Sequence, residues 1–106
     1  MMVTTTPGIP DHKLIKVLGI VKGNTIRARN IGKDILAFFK NIVGGEIEEY
    51  TKLMAESREQ ALDRMIKQAE AMGANAVIGV HFTTSYIMAN AAEILVFGTA
   101  VIMQEE

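Results

Sequence analysis

The pattern of apolar and polar positions is clearest between Tyr50 and Phe82. In most of this stretch the apolar residues recur three and four positions apart, which places them on one face of a helix. Gly73 follows the last periodic residue and can adopt the left-handed conformation that ends a helix, and from Ala76 the period drops to that of a strand. The pattern therefore predicts one long amphipathic helix followed by a buried strand. The helix stripe consists of Leu62, Met65, Ala69 and Met72, with Met54, Ala55, Ala61 and Ile66 beside it.

Before this helix the sequence predicts an edge strand and a hairpin. Val3–Thr6 is β-branched and is predicted to form a short edge strand, which the prolines that follow it end. Lys13–Val21 is rich in isoleucine, valine and leucine and is predicted to be a strand. Gly23 and Asn24 form a two-residue hairpin signal, so residues 25–29 are expected to return beside that strand.

The remaining elements complete a single domain. A short helix is predicted over Asp34–Val43, because its apolar residues fall three and four positions apart. Two glycines end it, and the acidic residues 46–49 suit the positive end of the long helix. A loop around residues 84–90 precedes a last strand over Glu93–Met103. These elements predict an α+β domain over residues 1–106, with a small, mainly antiparallel sheet and one long helix on one face.

The faces of the two C-terminal strands lead to a prediction about assembly. In the last strand both faces are apolar, and a strand of that kind needs cover on both sides. One long helix can cover only one face of a small sheet, so the other face is expected to meet a second copy of the chain. We therefore predict a homo-oligomer. The predicted faces are Ala76, Ile78, Val80 and Phe82 against Val77, Gly79, His81 and Thr83 in the first strand, and Ile94, Val96, Ala100 and Ile102 against Leu95, Phe97, Val101 and Met103 in the last.

Composition and charge exclude several classes of protein. The 106 residues are 49% hydrophobic and 22% charged, which is typical of one folded domain. A net charge of −1 lacks the positive excess expected of a nucleic-acid-binding protein, so no nucleic-acid partner is predicted. The chain has no cysteine, which excludes disulfides and thiolate metal sites. Residues 86–103 are nearly apolar enough for a membrane span, but Asn90 and Glu93 interrupt them and no secretion signal is recognisable, so we expect no membrane partner and a cytoplasmic location.

Segments along nearly the whole chain carry a family resemblance. They are Val3-Thr4-Thr5-Thr6 with Ile9-Pro10, Leu18-Gly19-Ile20-Val21-Lys22-Gly23, Ile42-Val43-Gly44-Gly45 followed by Tyr50, Ser57-Arg58-Glu59-Gln60-Ala61, Gly73-Ala74-Asn75-Ala76-Val77-Ile78-Gly79-Val80 and Gly98-Thr99-Ala100-Val101. In this order they resemble the YbjQ-like family. The resemblance implies an α+β subunit related to dodecin-type folds, assembled as a pentameric ring, and it implies binding of a heavy metal. Asp11 departs from the family, where a small residue, often glycine, commonly follows the Ile-Pro pair.

Arg58 is the most informative charged residue of the predicted helix. It lies one turn from Met54 and Leu62 in the apolar stripe, where a lone cation is costly unless it is paired. A structural ion pair with Glu46 or Glu93 is the simpler interpretation, because such pairs outnumber ligand clamps. The alternative is that Arg58 binds an anion or a carboxylate in a cleft between subunits.

His12 and His81 are the two histidines that could ligate a metal. A transition-metal site usually needs three or four converging ligands, so two histidines could form one only through assembly, with Glu or Met completing the shell. The simpler interpretation is that His81 packs at an interface and His12 is solvated. His81 is predicted to lie on the sheet face that the helix leaves open, so a ligand pocket there would include it.

The sequence predicts a binding or structural protein rather than an enzyme. Ser57 and Ser85 have no plausible histidine–acid pair nearby, and no nucleophile motif is present, so no catalytic residue is predicted. The leading hypothesis is a cytoplasmic oligomer that binds a metal ion, divalent or soft, or a small ligand at subunit junctions. Arg58 and His81 are its candidate ligand-binding residues. The alternative is a structural or interaction scaffold with no specific ligand.

Overall fold

The computed structural model describes residues 1–28, 46–88 and 91–106. The elements of these ranges are β1 (Met2–Val3), β2 (His12–Ala28), α1 (Glu46–Ala71), β3 (Ala76–Met88) and β4 (Ala91–Glu105). The strands form one sheet in the order β1–β3–β4–β2, with α1 packed on one face. β1 is parallel to β3, whereas β4 is antiparallel to both of its neighbours. The predicted α+β class is therefore confirmed, and the sheet is mixed.

The buried line of α1 explains how closely the helix approaches the sheet. The helix begins at Glu46, so the acidic residues 46–49 form its first turn, where negative charge is favourable. Three of the four side chains on the buried line are small, so the helix backbone can come near the strands. The predicted stripe holds in its centre, but its last member, Met72, is 40% exposed. The buried line, each member 0% exposed, is Ser57, Ala61, Met65 and Ala69.

Gly73 ends α1, as predicted. It has a φ of +86°, a conformation that glycine adopts at little cost. The N–H of Gly73 donates to the carbonyl of Glu70 (3.0 Å), and the N–H of Ala74 donates to the carbonyl of Ala69 (3.0 Å). These two hydrogen bonds form a Schellman motif, which satisfies carbonyls that the last helical turn leaves without partners.

Asn75 connects the end of the helix to the sheet. Its side-chain nitrogen donates to the carbonyl of Met103 (2.7 Å), and its side-chain oxygen accepts from the N–H of Met103 (2.8 Å). The backbone N–H of Asn75 donates to the carbonyl of Val101 (3.2 Å). Asn75 therefore adds one rung to the β3–β4 ladder, which starts at the pair of Ala76 and Val101.

The predicted hairpin at Gly23 and Asn24 is wrong, because β2 continues through both residues as one strand of 17 residues. Gly23 pairs with Val96 of β4 and lies beneath α1. A Cβ at this position would lie 2.1 Å from the carbonyl oxygen of Ala61 and 2.5 Å from the nitrogen of Met65. Glycine is therefore needed here for the close approach of the helix backbone, and not for a turn.

Helix α1 runs along β2 in the opposite direction and stops halfway down the strand. Near the start of the contact the hydroxyl of Thr25 donates to the carbonyl of Ser57 (3.2 Å). Near its end the side chain of Met72 lies over Gly19, where an added Cβ would be 3.7 Å from the Met72 methyl. The first half of β2 therefore extends beyond the end of the helix.

A bulge in β3 exchanges the two faces of the strand. The bulge lies at Gly79–Val80, between the pairs formed by Ile78 and His81, and Gly79 has a φ of +62°. Strict alternation placed Val77 and His81 on the same face, and the extra residue separates them. Val77 is packed in the core under the helix, contrary to the prediction, whereas His81 lies on the other face, as predicted. The helix side carries Val77, Val80 and Phe82, and the opposite side carries Ala76, Ile78, His81 and Thr83.

The end of β3 differs from the prediction as well. A loop was expected around residues 84–90, but the strand continues to Met88 and β4 starts at Ala91. The segment Thr84–Ile87 contains threonine, tyrosine and isoleucine, which favour a strand. The short helix predicted over Asp34–Val43 lies outside the described residues.

The N-terminal segment covers part of the sheet face opposite α1, which we call the open face. An N-terminal edge strand is found as predicted, but β1 covers Met2–Val3 and not Val3–Thr6, and its Met2 pairs with Ala76. The chain then crosses the open face, and Ile9 packs against a buried cluster there. The open face was predicted to contact a second copy, and one end of it is therefore covered by the N-terminal segment of the same chain. The buried members of this cluster are Ala76, Val101 and Met103.

Asp11 turns the chain into β2 at the end of this crossing. Its φ is +60°, in the left-handed region that favours glycine. The carbonyl of Asp11 accepts a hydrogen bond from the N–H of Glu106 (2.9 Å). Glycine, which the YbjQ-like family often has after the Ile-Pro pair, adopts this left-handed conformation readily. Aspartate is among the residues that tolerate the same conformation.

Candidate functional site

Three side chains form a row across the middle of the open face. Phe97 of β4 pairs with Lys22 of β2 on one side and with His81 of β3 on the other. The rings of His81 and Phe97 have centroids 5.9 Å apart and planes inclined by 44°. Lys22 and His81 are exposed, and Phe97 is half-buried. The row therefore presents an aromatic surface between an amine and an imidazole.

Polar side chains extend this row along the strands. Asn24 and Thr83 flank Leu95 in the next row, and Glu93 pairs with Ser85 in the row after that. The side-chain nitrogen of Asn24 donates to a carboxylate oxygen of Glu93 (3.2 Å). The open face thus offers positively and negatively charged groups, hydrogen-bond donors and hydrogen-bond acceptors beside an aromatic ring, which suits a small polar ligand. We call Lys22, Asn24, His81, Thr83, Ser85 and Glu93 the polar band.

The described residues of one chain do not form a metal site. Among them, no three histidine, aspartate or glutamate side chains lie close enough to hold an ion together. His81 provides one imidazole, whereas a transition-metal site usually has three or four ligands. Metal binding at His81 would therefore need ligands from outside the described residues of this chain.

His12 lies far from His81 within the chain. His12 pairs with Glu105 and His81 pairs with Phe97, and these two partners are separated along β4 by about 26 Å at 3.3 Å per residue. The Nδ1 atom of His12 lies 2.8 Å from the carbonyl oxygen of Pro10, within hydrogen-bonding distance. The two histidines can meet only between copies, as the sequence analysis expected.

Arg58 does not lie in the buried stripe, contrary to the prediction. Ser57 takes the stripe position at this turn and is fully buried, whereas Arg58 is exposed. Among the described side chains no carboxylate forms an ion pair with Arg58, and Glu93 instead accepts from Asn24. Arg58 is on the helix, on the opposite side of the sheet from His81, so the two candidate residues do not form one site within a chain.

Two helix side chains that the sequence analysis did not single out reach the outer edge of β2. The side-chain oxygen of Gln68 accepts from the backbone N–H of Lys22 (2.7 Å). The guanidinium of Arg64 donates to the carbonyl of Asn24. Both residues belong to the polar side of the helical pattern, which indicates solvent exposure but gives no sign of a strand edge nearby.

Comparison with known proteins identifies close relatives. A family model described as "Putative heavy-metal-binding" matches residues 1–104. A UPF0145 protein of Archaeoglobus fulgidus is 56% identical over 101 residues, which cover 95% of this chain and 94% of that protein. A UPF0145 protein of Dehalococcoides mccartyi is 56% identical over 104 residues, which cover 98% and 100% of the two chains. A UPF0145 protein of Pyrococcus furiosus is 49% identical over 106 residues, which cover 100% and 93%.

A solved structure supports the fold. The crystal structure of a protein of unknown function from Pediococcus pentosaceus, assigned to the DUF74 family, has a TM-score of 0.69 with this chain. It covers 98% of each chain at 15% identity, so the likeness concerns the fold. In the described ranges no helix has the length and apolar character needed to cross a membrane. On the match over residues 1–104 and the identities of its relatives, the chain belongs to the YbjQ family of UPF0145 proteins.

Proposed function

We propose that this protein forms a homo-oligomeric ring in the cytoplasm, a pentamer of dodecin-like subunits, and binds a metal ion or a small ligand at the junctions between copies. The observation that carries the proposal is the position of His81. It is exposed in the middle of the open face, beside Phe97 and within the polar band. Side chains of a neighbouring copy can reach it there.

Apolar exposure on the open face supports assembly. Val17 is 56% exposed and Ile20 is 78% exposed, and they lie in successive rows of the open face, opposite Val101 and Thr99 and next to the polar band. Burial of apolar surface is favourable by about 25 cal/mol per Å². Contiguous exposed apolar surface rimmed by polar side chains is typical of an interaction site.

Symmetry supports a metal or ligand site built from several copies. A ring places one His81 from each copy at an equivalent position, so each junction contains one His81, to which the neighbouring copy can add further ligands. The polar band adds the Glu93 carboxylate and the amide of Asn24 nearby. Binding, rather than catalysis, is the activity that these groups support.

The metal hypothesis is tested by calorimetric titration of Zn(II), Cu(I) and Ni(II) into metal-free protein. We expect saturable uptake of at least one ion at a fixed ratio per subunit. The variant His81→Ala should lose this uptake, whereas the matched control His12→Ala, which also removes one imidazole, should keep it. Equal uptake by the wild type and His81→Ala would contradict the role of His81.

Native mass spectrometry of the untreated protein tests assembly and ligand together. We expect one dominant oligomer, with five subunits for the proposed ring, and any retained ligand as a constant added mass. A stable monomer at micromolar concentration would contradict the proposal.

A scaffold without a specific ligand is the alternative function. The observation that favours it is that the described residues of one chain bring no three metal-binding side chains together. A scaffold predicts an assembled wild-type protein that shows no saturable metal uptake in the titration and that co-purifies with a protein partner.

A further inference from the structure

The outer edge of β3 is paired along its first part only. There the N-terminal segment follows it, and the last of these hydrogen bonds runs from the N–H of Val80 to the carbonyl of Thr4 (3.0 Å). From His81 to Met88 the outer edge has no backbone partner among the described residues. We call this stretch the β3 edge.

The outer edge of β2 is also partly uncovered. The side chains of Arg64 and Gln68 occupy it at Asn24 and Lys22. The N–H of His12 donates to the carbonyl of Ile9 (3.2 Å), and over residues 13–20, past the end of the helix, no other described backbone pairs with this edge. We call this stretch the β2 edge.

Exposed apolar side chains are concentrated on these two edges. Of the eleven large hydrophobic residues that are exposed in the described part of the chain, seven lie on them. In the described part of one subunit, unpaired backbone and exposed apolar side chains therefore occur in the same places, which is a liability that natural sheets avoid. The seven residues are Leu14, Ile15, Val17 and Ile20 on the β2 edge, and Phe82, Tyr86 and Ile87 on the β3 edge.

The β3 edge lacks the features that protect an exposed strand. Its sequence, His-Phe-Thr-Thr-Ser-Tyr-Ile-Met, contains no lysine, arginine, aspartate, glutamate or proline. Exposed edges of monomeric sheets usually carry a charge or a proline that prevents pairing with another chain. A strand of this composition favours pairing with a further strand.

We infer that the β3 edge of one copy pairs with the β2 edge of the next copy, so that the sheet continues from subunit to subunit. The inference rests on the proposed homo-oligomer and names the contact that builds it. The two edges match in extent, because residues 81–88 and residues 13–20 each span eight positions. Pairing them would satisfy the unpaired backbone groups of both edges and reduce the exposure of the apolar side chains on the paired strands.

The topology fixes the direction of this pairing. Both β2 and β3 are antiparallel to β4, so they run in the same direction. In a ring whose strands are tilted against its axis, a sheet that continues from copy to copy keeps that direction, and the new pair is therefore parallel. The β3 edge is the second half of its strand and the β2 edge is the first half, so neighbouring copies are displaced along the strands. Such a stagger is what closure of a sheet into a barrel requires, and a contact between two different edges can close a ring.

Cysteine cross-linking tests the contact, because the natural chain has no cysteine. Val17→Cys on the β2 edge and Ser85→Cys on the β3 edge place thiols on the same face of the continued sheet, and both positions are exposed. The two single variants are co-expressed and treated with a short bis-maleimide. We expect a covalent dimer from the mixture and none from either variant alone. The double variant should give a ladder of covalent multimers whose largest member equals the subunit number.

Further variants make the result independent of the exact register. Leu14→Cys and Ile20→Cys on the β2 edge, each combined with Ser85→Cys, sample shifted pairings, and the strongest cross-link among them reports the register. Glu70→Cys, exposed on the helix, replaces the β2-edge cysteine as a matched control and should give no cross-link.

Each alternative result has a definite meaning. An assembled protein with no cross-link for any β2-edge variant overturns the inference and leaves the proposed oligomer in place. A cross-link from Ser85→Cys alone shows two β3 edges pairing as a symmetric dimer and also overturns it. A monomer overturns both proposals. Cross-linked rings, together with a wild-type protein that takes up no metal, support the contact and contradict the metal hypothesis only.

Discussion

The contact between Gly23 and helix α1 gives the sharpest prediction about stability. In Gly23→Ala the new methyl group would stand 2.1 Å from the carbonyl oxygen of Ala61 and 2.5 Å from the nitrogen of Met65. Ordinary contacts between such atoms are about 3.5 Å, so the helix would have to withdraw from β2 by roughly 1 Å. Both obstacles are backbone atoms that cannot rotate away, in contrast to the flexible end of a side chain. Overpacking of a core costs about 1–3 kcal/mol, and we expect the upper end of that range here.

The assay is thermal and urea unfolding followed by circular dichroism at fixed protein concentration, because the proposed assembly would make stability depend on concentration. A loss of about 3 kcal/mol corresponds to a fall in Tm of roughly 12–24 °C for a domain of this size. The control is Gly8→Ala, since a Cβ there meets no atom within 4 Å; it should change the unfolding free energy by less than about 1 kcal/mol. A Gly23→Ala protein within about 0.5 kcal/mol of the wild type would refute the close seating of the helix on this strand.

Two further predictions concern single contacts. Asn75→Ala removes the paired hydrogen bonds to Met103, so that the backbone N–H and C=O of Met103 lose their partners. The unfolding free energy measured in urea titrations should fall by about 1–3 kcal/mol. An unchanged midpoint of unfolding would show that water replaces the side chain fully. Arg58→Met, at an exposed position, should stay within about 0.5 kcal/mol of the wild type and remain assembled. The matched variant Arg64→Met loses the hydrogen bond to the Asn24 carbonyl and should cost about 1 kcal/mol or more, so equal effects of the two would contradict the described role of Arg64.

The helix and its end could be predicted from the sequence, because both depend on local rules. The three- and four-residue spacing identified α1, and Gly73 ends it through hydrogen bonds within six neighbouring residues. The alternation in β4 likewise predicted its two faces, since no bulge interrupts the numbering of its residues. Patterns of this kind need no knowledge of the other elements.

The errors arose where one residue type serves two purposes. Gly23 has the conformational freedom of a turn residue, but its role is to leave room for α1, which lies 38 positions later at Ala61. Gly79 allows a bulge, after which the residues of β3 point to the opposite face from the one that strict alternation gives. The alternation of apolar and polar residues gives no sign of this bulge. The placement of His81 on the open face was predicted correctly, but the assumed alternation placed Val77 on the open face as well, whereas Val77 faces the helix. Arg58 was misplaced by one position, because the small polar Ser57 was not recognised as a member of the buried line.

The pairing of Met2 with Ala76 has a consequence for the order in which the molecule is made. At about 5–20 residues per second, translation needs roughly 4–15 s to travel from one to the other, so the first residues leave the ribosome long before their partner strand exists. During that interval the β-branched start of the chain cannot pair with β3, because β3 has not yet been synthesised. Once it is inserted beside Ala76 and Val77, it occupies half of the outer side of β3 and leaves only the distal half accessible. In the proposed contact, the N-terminal segment would thus act as a spacer, because its hydrogen bonds to Gly79 and Val80 set how far a neighbouring copy can slide along β3.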